Sequence, residues 1–189
     1  MANLSVEELA PDFDEQQAVE SARQGNREAL TLLYEFYFPR VFRYTVARLG
    51  NNEDAEDVTN EIFLKIIDNI DGFSWRGLPF GAWVFRIARN EIVSFVRKQK
   101  HRSATVQLSD SLEDDTPDFT GAIEQESALA SVRSAAARLP EAQRQVIALR
   151  FGAGLSVKET ALALGKSENN VKVLQHNGVA RLQKLVSDR

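Results

Sequence analysis

The run "LSVKETALALGKSENNVKVLQHNGVARLQKL", residues 155–185, contains the signals that start and stop two consecutive helices. Ser156 and Glu159 have the spacing of a capping box, in which each residue supplies a partner for a free backbone amide at a helix start. Gly165 stands where a left-handed residue would end that short helix, and Ser167 can cap the next one. Two capped helices joined by a turn of three or four residues predict a helix-turn-helix.

The second helix of this pair is predicted to have one apolar stripe and one polar face. The stripe recurs at spacings of three and four residues and consists of Val171, Leu174, Gly178, Leu182 and Leu185. The side chains near the N-terminal half and largely off the stripe lie where a recognition helix meets base edges and phosphates in a major groove. These candidates for DNA contact are Ser167, Asn169, Asn170, Lys172, Val173 and His176. A plain helical hairpin with a solvated polar face is the alternative at this point.

Helical periodicity extends along the rest of the chain, and Gly and Pro fall mainly between the periodic segments. The predicted helices cover about 13–24, 27–49, 53–70, 80–100, 127–138, 141–151, 157–164 and 168–187. Pro39 is expected to break or kink the second of them. Residues 103–126 contain seven acidic residues, no basic residue and few large apolar ones. The chain is therefore predicted to be all-α, with two small helical domains, 1–102 and 127–189, joined by a flexible acidic linker over 103–126.

The segment 76–102, "RGLPFGAWVFRIARNEIVSFVRKQKHR", is basic inside a chain that is acidic overall. Its net charge is +6, whereas the whole chain has a formal net charge of −4. A helical projection places a polar and basic set on one face and the apolar side chains on the opposite face. The basic face consists of Arg86, Asn90, Arg97 and Lys100, with Arg89 about 60° away. An ordinary solvated surface would also have this pattern, so the charge by itself decides nothing.

The loop before this helix, "DGFSWRGLPFGA" over 71–82, holds several large apolar groups among its Gly and Pro residues. Because bases stack on aromatic rings while phosphates follow positive charge, an aromatic loop beside a basic helix favours single-stranded nucleic acid as the ligand. The alternative is that the rings fill the domain core, and this is the preferred interpretation for Phe73 and Trp83.

Several classes of protein are disfavoured by composition. The chain has no cysteine, and its two histidines, His101 and His176, are far apart in sequence, so no metal site is expected. No phosphate-binding glycine loop or paired nucleophile and base is present, so we expect no catalytic residues, no cofactor, no small-molecule substrate and no enzymatic activity. The N-terminus lacks a signal-peptide pattern and no run of 18 apolar residues occurs. We therefore expect no membrane insertion and a cytoplasmic location.

Taken together, the segments resemble bacterial RNA polymerase sigma factors of the extracytoplasmic-function (ECF) group. The resemblance rests on "GNREALTLLYEFYFPRVFRY", "NNEDAEDVTNEIFLKI" and "PFGAWVFRIARN" in the first domain, and on "LPEAQRQVIALRFGAGLSVKETALALGKSENNVKVLQH" in the second. It extends from about Asp14 to Leu185. It implies a first domain that binds the polymerase clamp and melts the minus-10 promoter element, and a second that reads the minus-35 element.

Carried onto this chain, the resemblance implies a role for each group of candidate residues. Core polymerase would be bound by Asp57, Asn60, Glu61 and Leu64. A flipped nontemplate base would be captured by a loop whose lining candidates are Trp75, Arg76 and Leu78. The DNA backbone or the minus-10 edge would be held by Arg86, Arg89, Asn90, Arg97 and Lys100. The implied partners are core RNA polymerase and promoter DNA, and an anti-sigma protein is a further partner that the resemblance leaves open.

Three hypotheses follow for the function. The first is an alternative sigma factor that works only when bound to core polymerase. The second is a free-standing helix-turn-helix transcriptional regulator that uses its first domain for dimerisation or ligand sensing, and the third is an adaptor that binds only proteins. The aromatic loop favours the first, because a dimerising regulator has no need of stacking groups beside a basic helix.

Overall fold

The computed structural model describes residues 13–106 and 132–187, and every regular element within these two stretches is helical. The N-terminal unit comprises α1 (Glu15–Arg23), α2 (Arg27–Leu49), α3 (Asn52–Asn69) and α4 (Phe80–Val106), with a 3₁₀ turn (Ile70–Gly72) before the loop that leads into α4. The C-terminal unit comprises α5, described over 132–137, then α6 (Glu141–Ile147), a π turn (Ala148–Gly152), α7 (Val157–Leu164) and α8 (Glu168–Ser187). The all-α prediction is confirmed.

Short polar side chains start the first three helices. Asp14, Asn26 and Asn51 each accept a hydrogen bond at 2.9 Å from a backbone amide in the first turn of α1, α2 and α3. Gly50 ends α2 with a φ of 79°, a conformation in which any side chain would be strained. These signals keep the connections short, so α2 packs against α1 on one side and α3 on the other.

Helix α2 has the predicted bounds without a break at its proline, and α4 extends beyond its predicted end. Pro39 lies inside α2, and the helix runs on through it instead of breaking there. Pro39 and Glu35, whose carbonyl loses its helical partner, are both exposed, so water can solvate that carbonyl. Helix α4 continues past the predicted end at Lys100 to Val106, because no Gly or Pro interrupts it there. The remainder of the predicted linker, 107–126, lies outside the described residues.

The helix-turn-helix forms through the contacts predicted for it. The Ser156 hydroxyl accepts from the Glu159 amide at 3.1 Å, and the Glu159 carboxylate accepts from the Ser156 amide at 2.8 Å, which completes the capping box. Gly165 then ends α7 in the left-handed region with a φ of 62°. Because both signals are local, the short helix α7 has defined ends despite its eight residues.

The two units share one continuous apolar core, which the sequence patterns do not predict. Its largest fully buried side chains include Tyr37, Tyr44, Phe80 and Phe85 from the N-terminal unit and Leu149 from the C-terminal unit. Helix α7 packs on α4, and the π turn packs on α2. Each such side chain stabilises the fold by roughly 1.5–3 kcal/mol through removal of apolar surface from water. Within the described stretches, no helix is long and apolar enough to cross a membrane.

Candidate nucleic-acid interface

The loop between the 3₁₀ turn and α4 is built on a cluster of aromatic rings. Phe73 is buried, and its ring centroid lies 5.0 Å from that of Trp75, 5.1 Å from that of Phe80 and 5.3 Å from that of Trp83. The contacts with Trp75 and Phe80 are edge-to-face, the geometry that aromatic pairs prefer. This ring cluster fixes where the rest of the loop begins. Phe73 therefore has the core role expected for it.

An open cavity of about 400 Å³ lies beside this loop, within the size range of ligand pockets. It is lined by Gly72, Phe73, Ser74, Arg76, Gly77, Leu78, Trp83, Arg86 and Leu162. Arg76 and Arg86 are exposed, and Trp83 is half-buried with its ring tilted against that of Phe80 at a centroid distance of 5.3 Å. The cavity thus combines cationic groups with aromatic and apolar surface, which is the combination that a stacked base and its phosphate require.

The structure brings some of the predicted loop residues together and separates one of them. Arg76, Leu78 and Arg86 line the cavity, whereas Trp75 does not. Trp75 is half-buried, and its indole nitrogen donates a hydrogen bond to the Glu20 carboxylate of α1 at 2.9 Å. Two rings line the cavity: the buried Phe73, and the half-buried Trp83 one turn into α4, which sequence reasoning assigned to the core. In the sequence, the position of Trp83 beside the basic face of α4 was the signal that could have identified it as a lining residue.

Beyond the loop, Arg86, Asn90, Arg97 and Lys100 are all exposed on α4, as the projection predicts. Arg97 and Lys100 line a second, open groove of about 830 Å³. Its remaining lining is Arg48, Val93, Val96, His101, Glu141, Arg144 and Gln145. Arg89 is different, because it is half-buried and its charge acts on the buried Tyr44 hydroxyl. Four of the five predicted residues on this helix therefore face solvent, and Arg89 faces the interior.

The N-terminal half of α8 presents its predicted polar face to solvent. Ser167 is the N-cap, and its hydroxyl accepts from the Asn170 amide at 3.2 Å. The other candidates on this face are exposed: Asn169, Asn170, Lys172, Val173 and His176. Val173 is an apolar side chain 51% exposed on this face, where a thymine methyl group would be a suitable contact.

The opposite stripe of α8 holds the helix against the rest of its unit. Val171 and Gly178 are buried, and the other three stripe residues are half-buried. At Gly178, a Cβ atom would lie only 3.0 Å from Cγ1 of Ile147, so glycine lets α8 approach α6 closely. Arg150 adds a polar tie, because its Nε donates to Oε1 of Gln175 on α8 at 2.9 Å. The recognition face is thus carried on a firmly packed helix.

A third surface lies on α3. Asp57, Asn60, Glu61 and Leu64 are all exposed, and the opposite face of the helix is buried in the core. Leu64 is 57% exposed, and Ile67, one turn later, is 46% exposed. Sequence reasoning missed Ile67, although its spacing of three from Leu64 was a usable signal. Two exposed aliphatic side chains among carboxylates and an amide have the composition of a protein interface more than that of a solvated face.

Comparisons with known proteins identify the family to which each unit is similar. Residues 33–102 match the Sigma-70 region 2 family, and residues 135–184 match the Sigma-70, region 4 family. The ECF RNA polymerase sigma factor BldN of Streptomyces coelicolor is 36% identical over 172 residues, which cover 90% of this chain and 65% of BldN. The ECF RNA polymerase sigma factor SigD of Mycobacterium tuberculosis is 33% identical over 171 residues, which cover 87% of this chain and 80% of SigD.

A solved structure supports the fold as well. The sigma factor RpoE from Bartonella quintana, in a co-crystal structure with the anti-sigma factor NepR, superposes with a TM-score of 0.67 at 24% identity. The match covers 84% of this chain and 98% of that one. The helical bundle, the helix-turn-helix unit and the two family matches lead to one conclusion: the chain belongs to the ECF group of RNA polymerase sigma factors.

Proposed function

We propose that this chain binds core RNA polymerase through α3, captures a minus-10 base in the loop cavity, and reads the minus-35 element through α8. The cavity of about 400 Å³ beside the basic face of α4 is the observation that carries the proposal. Domain limits of 1–102 for the polymerase-binding and minus-10 part, 103–126 for the linker and 127–189 for the minus-35 part belong to the same proposal.

Docking on core polymerase is the first step of this proposal. Leu64 and the adjoining Ile67 supply apolar contact area, and Asp57, Asn60 and Glu61 supply the polar rim. The arrangement of an apolar centre within a polar surround is the one in which a few residues contribute most of the binding energy. The acidic rim would also attract a basic partner surface and suppress docking on acidic ones.

Capture of an unpaired base is the second step. Extrusion of one base from a duplex costs a few kcal/mol, and one stacking contact returns roughly 1–3 kcal/mol. Stacking in one cavity therefore offsets the cost of base extrusion only narrowly. Phosphate contacts and polymerase have to supply the additional binding energy. Arg76 and Arg86 at the cavity can hold the extruded nucleotide's phosphates, while Asn90, Arg97 and Lys100 continue the positive surface along α4.

Reading of the intact duplex is the third step. Asn169 and Asn170 at the start of α8 are exposed and have side chains able to pair with adenine edges, and the exposed Lys172 would contact a phosphate. Ser167 and His176 mark the two ends of this reading face. Base contacts from α8 would set the preference for an upstream element, and the lysine would add affinity for any sequence.

The same proposal covers partners and location. The chain acts in the cytoplasm with polymerase, has no enzymatic activity of its own, and opens DNA by binding energy, not by nucleotide hydrolysis. RpoE of Bartonella quintana is described in complex with an anti-sigma factor, and we extend such a partner to this chain. Its contact surface would overlap the polymerase-binding face of α3 or the reading face of α8, because an inhibitor has to cover what the active form uses.

The test is reconstitution of the purified chain with core polymerase on a promoter library, with transcript starts mapped. We expect starts at a defined distance from two shared elements, and none with polymerase or with the chain alone. Leu64→Ala should weaken polymerase binding at least fivefold, about 1 kcal/mol, because a central apolar contact is lost. Leu32→Ala is the matched control, since Leu32 is 51% exposed on α2. A chain that binds its sites equally well without polymerase would instead be a free-standing regulator.

A further inference from the structure

The groove beside the C-terminal half of α4 is strongly cationic. The described residues that line it include four cationic side chains and one carboxylate: Arg48 of α2, Arg97 and Lys100 of α4, and Arg144 and Glu141 of α6. Positive charge is therefore in excess on a concave surface. Because such a surface concentrates the field of the charges that line it, the groove attracts anions.

Two of these cations have donor nitrogens that are left unpaired. The side chain of Arg48 is only 5% exposed, yet its Nε has no hydrogen-bond partner among the described residues. The Nε of Arg144 is also buried and has no partner within the same stretches. A buried donor without an acceptor is costly, and the cost is higher when the donor group is charged. The two guanidinium groups therefore indicate an acceptor that comes from outside the described chain.

Glu141 holds both guanidinium groups in place. Its carboxylate accepts hydrogen bonds from both terminal nitrogens of Arg48 and, at 2.6 Å, from Nη2 of Arg144. Burial of Glu141 favours its neutral form, but hydrogen bonds and charges from Arg144 and Arg48 outweigh this, and the pKa of Glu141 lies below its ordinary value. The carboxylate is thus ionised at neutral pH and fixes the two arginines at the wall of the groove.

The groove also has an apolar wall. Val93 is 47% exposed and Val96 is half-buried, and both line the groove from α4. The groove volume of about 830 Å³ lies within the range of about 300–1,000 Å³ that small-molecule pockets have. A ligand that matches this lining has an anionic end for the guanidinium groups and a planar or apolar body for the valines.

We propose that this groove binds a nucleoside polyphosphate, with its phosphates held by Arg48, Arg144 and Lys100 and its base packed against Val93. Arginine suits this task, because its planar fork can donate two parallel hydrogen bonds to one phosphate group. The valines supply the contact that distinguishes a nucleotide from a free phosphate ion. The site is separate from the loop cavity, since the described linings of the two have no residue in common.

Occupation of the groove has a consequence for DNA binding. Arg97 and Lys100 line the groove, and they also belong to the basic face assigned above to promoter DNA. A nucleotide that neutralises these two cations weakens their contacts with DNA phosphates. The nucleotide is therefore an inhibitor of promoter binding, and this part of the inference rests on the proposed function of the basic face.

Calorimetric titration of the full chain with ATP, in the absence of polymerase and DNA, tests the site. ATP should bind at least tenfold more tightly than either inorganic triphosphate or adenosine, because each of these lacks one of the two sets of contacts. The midpoint of thermal unfolding should also rise with ATP concentration. Absence of ATP binding overturns the site. Equal affinities for ATP and inorganic triphosphate overturn a nucleoside polyphosphate as its ligand.

Substitutions show whether ATP binds in this groove. Arg144→Ala should weaken ATP binding about tenfold, because a charge-assisted contact with phosphate is lost. Arg138→Ala is the matched control, since Arg138 is an exposed arginine outside the groove lining. Arg76→Ala controls for binding of ATP in the loop cavity, which Arg76 lines. Both controls should keep the affinity of the natural chain for ATP. An equal loss in all three variants would contradict a site in the groove.

Glu141→Gln separates an anion site from a merely structural effect. This substitution removes the carboxylate at the groove, so ATP should bind at least threefold more tightly once the like charge is gone. If Glu141 only maintained the shape of the groove, its loss would weaken binding. Weaker binding of ATP to a Glu141→Gln chain with unchanged circular dichroism would therefore contradict the proposal.

Competition with labelled promoter DNA, bound by the chain in complex with core polymerase, tests the inhibitory consequence. Because polymerase itself binds ATP, the effect is measured as the difference between two variants. ATP should displace DNA from the complex with Arg138→Ala several-fold more effectively than from the complex with Arg144→Ala. If ATP binds the groove but the two complexes respond alike, the nucleotide site stands and the assignment of Arg97 and Lys100 to DNA fails. If ATP does not bind and the promoter is still recognised, the site fails while the proposed function stands.

Discussion

The indole nitrogen of Trp75 donates a hydrogen bond to the Glu20 carboxylate at 2.9 Å, which ties the loop before α4 to helix α1. Arg23 strengthens this tie, because it pairs with Glu20 at 2.8 Å and donates to the carbonyl oxygen of Asp71 at 3.2 Å. The N-terminal part of the loop and the turn before it are thus anchored to α1 at two points. We therefore expect Trp75 to act by holding the loop in place, whereas Trp83 lines the cavity itself.

The first prediction concerns this anchor. Glu20→Ala should reduce open-complex formation about fivefold, because loss of about 1 kcal/mol of hydrogen bonding loosens the loop that carries Arg76. Glu20→Gln is the control, since its amide oxygen can still accept from Trp75, and it should retain most of the activity. Permanganate reactivity of unpaired thymines in complexes with core polymerase measures the effect. Identical reactivity in the alanine and glutamine variants would contradict an anchoring role for the hydrogen bond between Glu20 and Trp75.

The second prediction concerns alkaline stability. Burial raises the pKa of Tyr44 to about 12, against an ordinary value of 10.0. Because the unfolded chain releases this proton first, the stabilisation is fully present below pH 10 and is lost progressively as the pH rises to about 12. The loss amounts to about 3 kcal/mol, from two units at about 1.4 kcal/mol each. Tyr44→Phe should abolish this part of the decline.

Urea unfolding of the two chains at several pH values measures the difference. The free energy of unfolding of the natural chain should fall relative to that of Tyr44→Phe only above pH 10. Tyr34→Phe is the control, because Tyr34 is 41% exposed. Parallel curves for the natural chain and Tyr44→Phe over the whole range would contradict a buried, protonated phenol.

Local signals predicted the helices well, since capping side chains and glycines act within one turn of the residue concerned. The ends of α2 and α7 are examples, with Gly50 and Gly165 in the left-handed conformation. Contacts between distant parts of the chain left no such signal. Arg40 and Ala153 are 113 positions apart, and an arginine that caps a remote carbonyl looks like any other surface cation in sequence. The same limit applies to the hydrogen bond between Trp75 and Glu20, which are 55 positions apart.

The third prediction concerns the close approach of α8 to α6. Gly178→Ala places a methyl group 3.0 Å from Cγ1 of Ile147, and overpacking of this kind costs roughly 1–3 kcal/mol. The gain in helix propensity from glycine to alanine is at most about 1 kcal/mol. The cost of the clash therefore exceeds the gain in helix propensity, and the variant should be less stable than the natural chain in urea unfolding.

A double-variant cycle isolates that contact. In an Ile147→Ala background the clash is gone, so Gly178→Ala should become stabilising by up to about 1 kcal/mol. Ala180→Gly, at an exposed position of α8, should cost about the same in both backgrounds. A stabilising Gly178→Ala effect in both backgrounds would mean that the helices can move apart without cost. A destabilising effect in both would mean that the clash is not with Ile147.

The fourth prediction separates base reading from charge on α8. Asn170→Ala keeps the backbone amide that Ser167 caps, so the helix start should survive, while one base contact worth about 1–3 kcal/mol is lost. Discrimination between the preferred upstream element and single-base variants should fall at one position only. Lys172→Ala should instead weaken binding to every sequence alike and lower the slope of log affinity against log salt by about 0.9.

Binding of the polymerase-bound chain to labelled upstream duplexes over a salt series measures both effects. Lys184→Ala is the matched control, because Lys184 is exposed near the far end of α8 and should change neither specificity nor salt slope. Asn170→Ala should change base discrimination at one position, and Lys172→Ala should change the salt slope. A recognition helix in this register requires both results. A uniform loss for Asn170→Ala, or a position-specific loss for Lys172→Ala, would show that the polar face of α8 meets DNA in a different register.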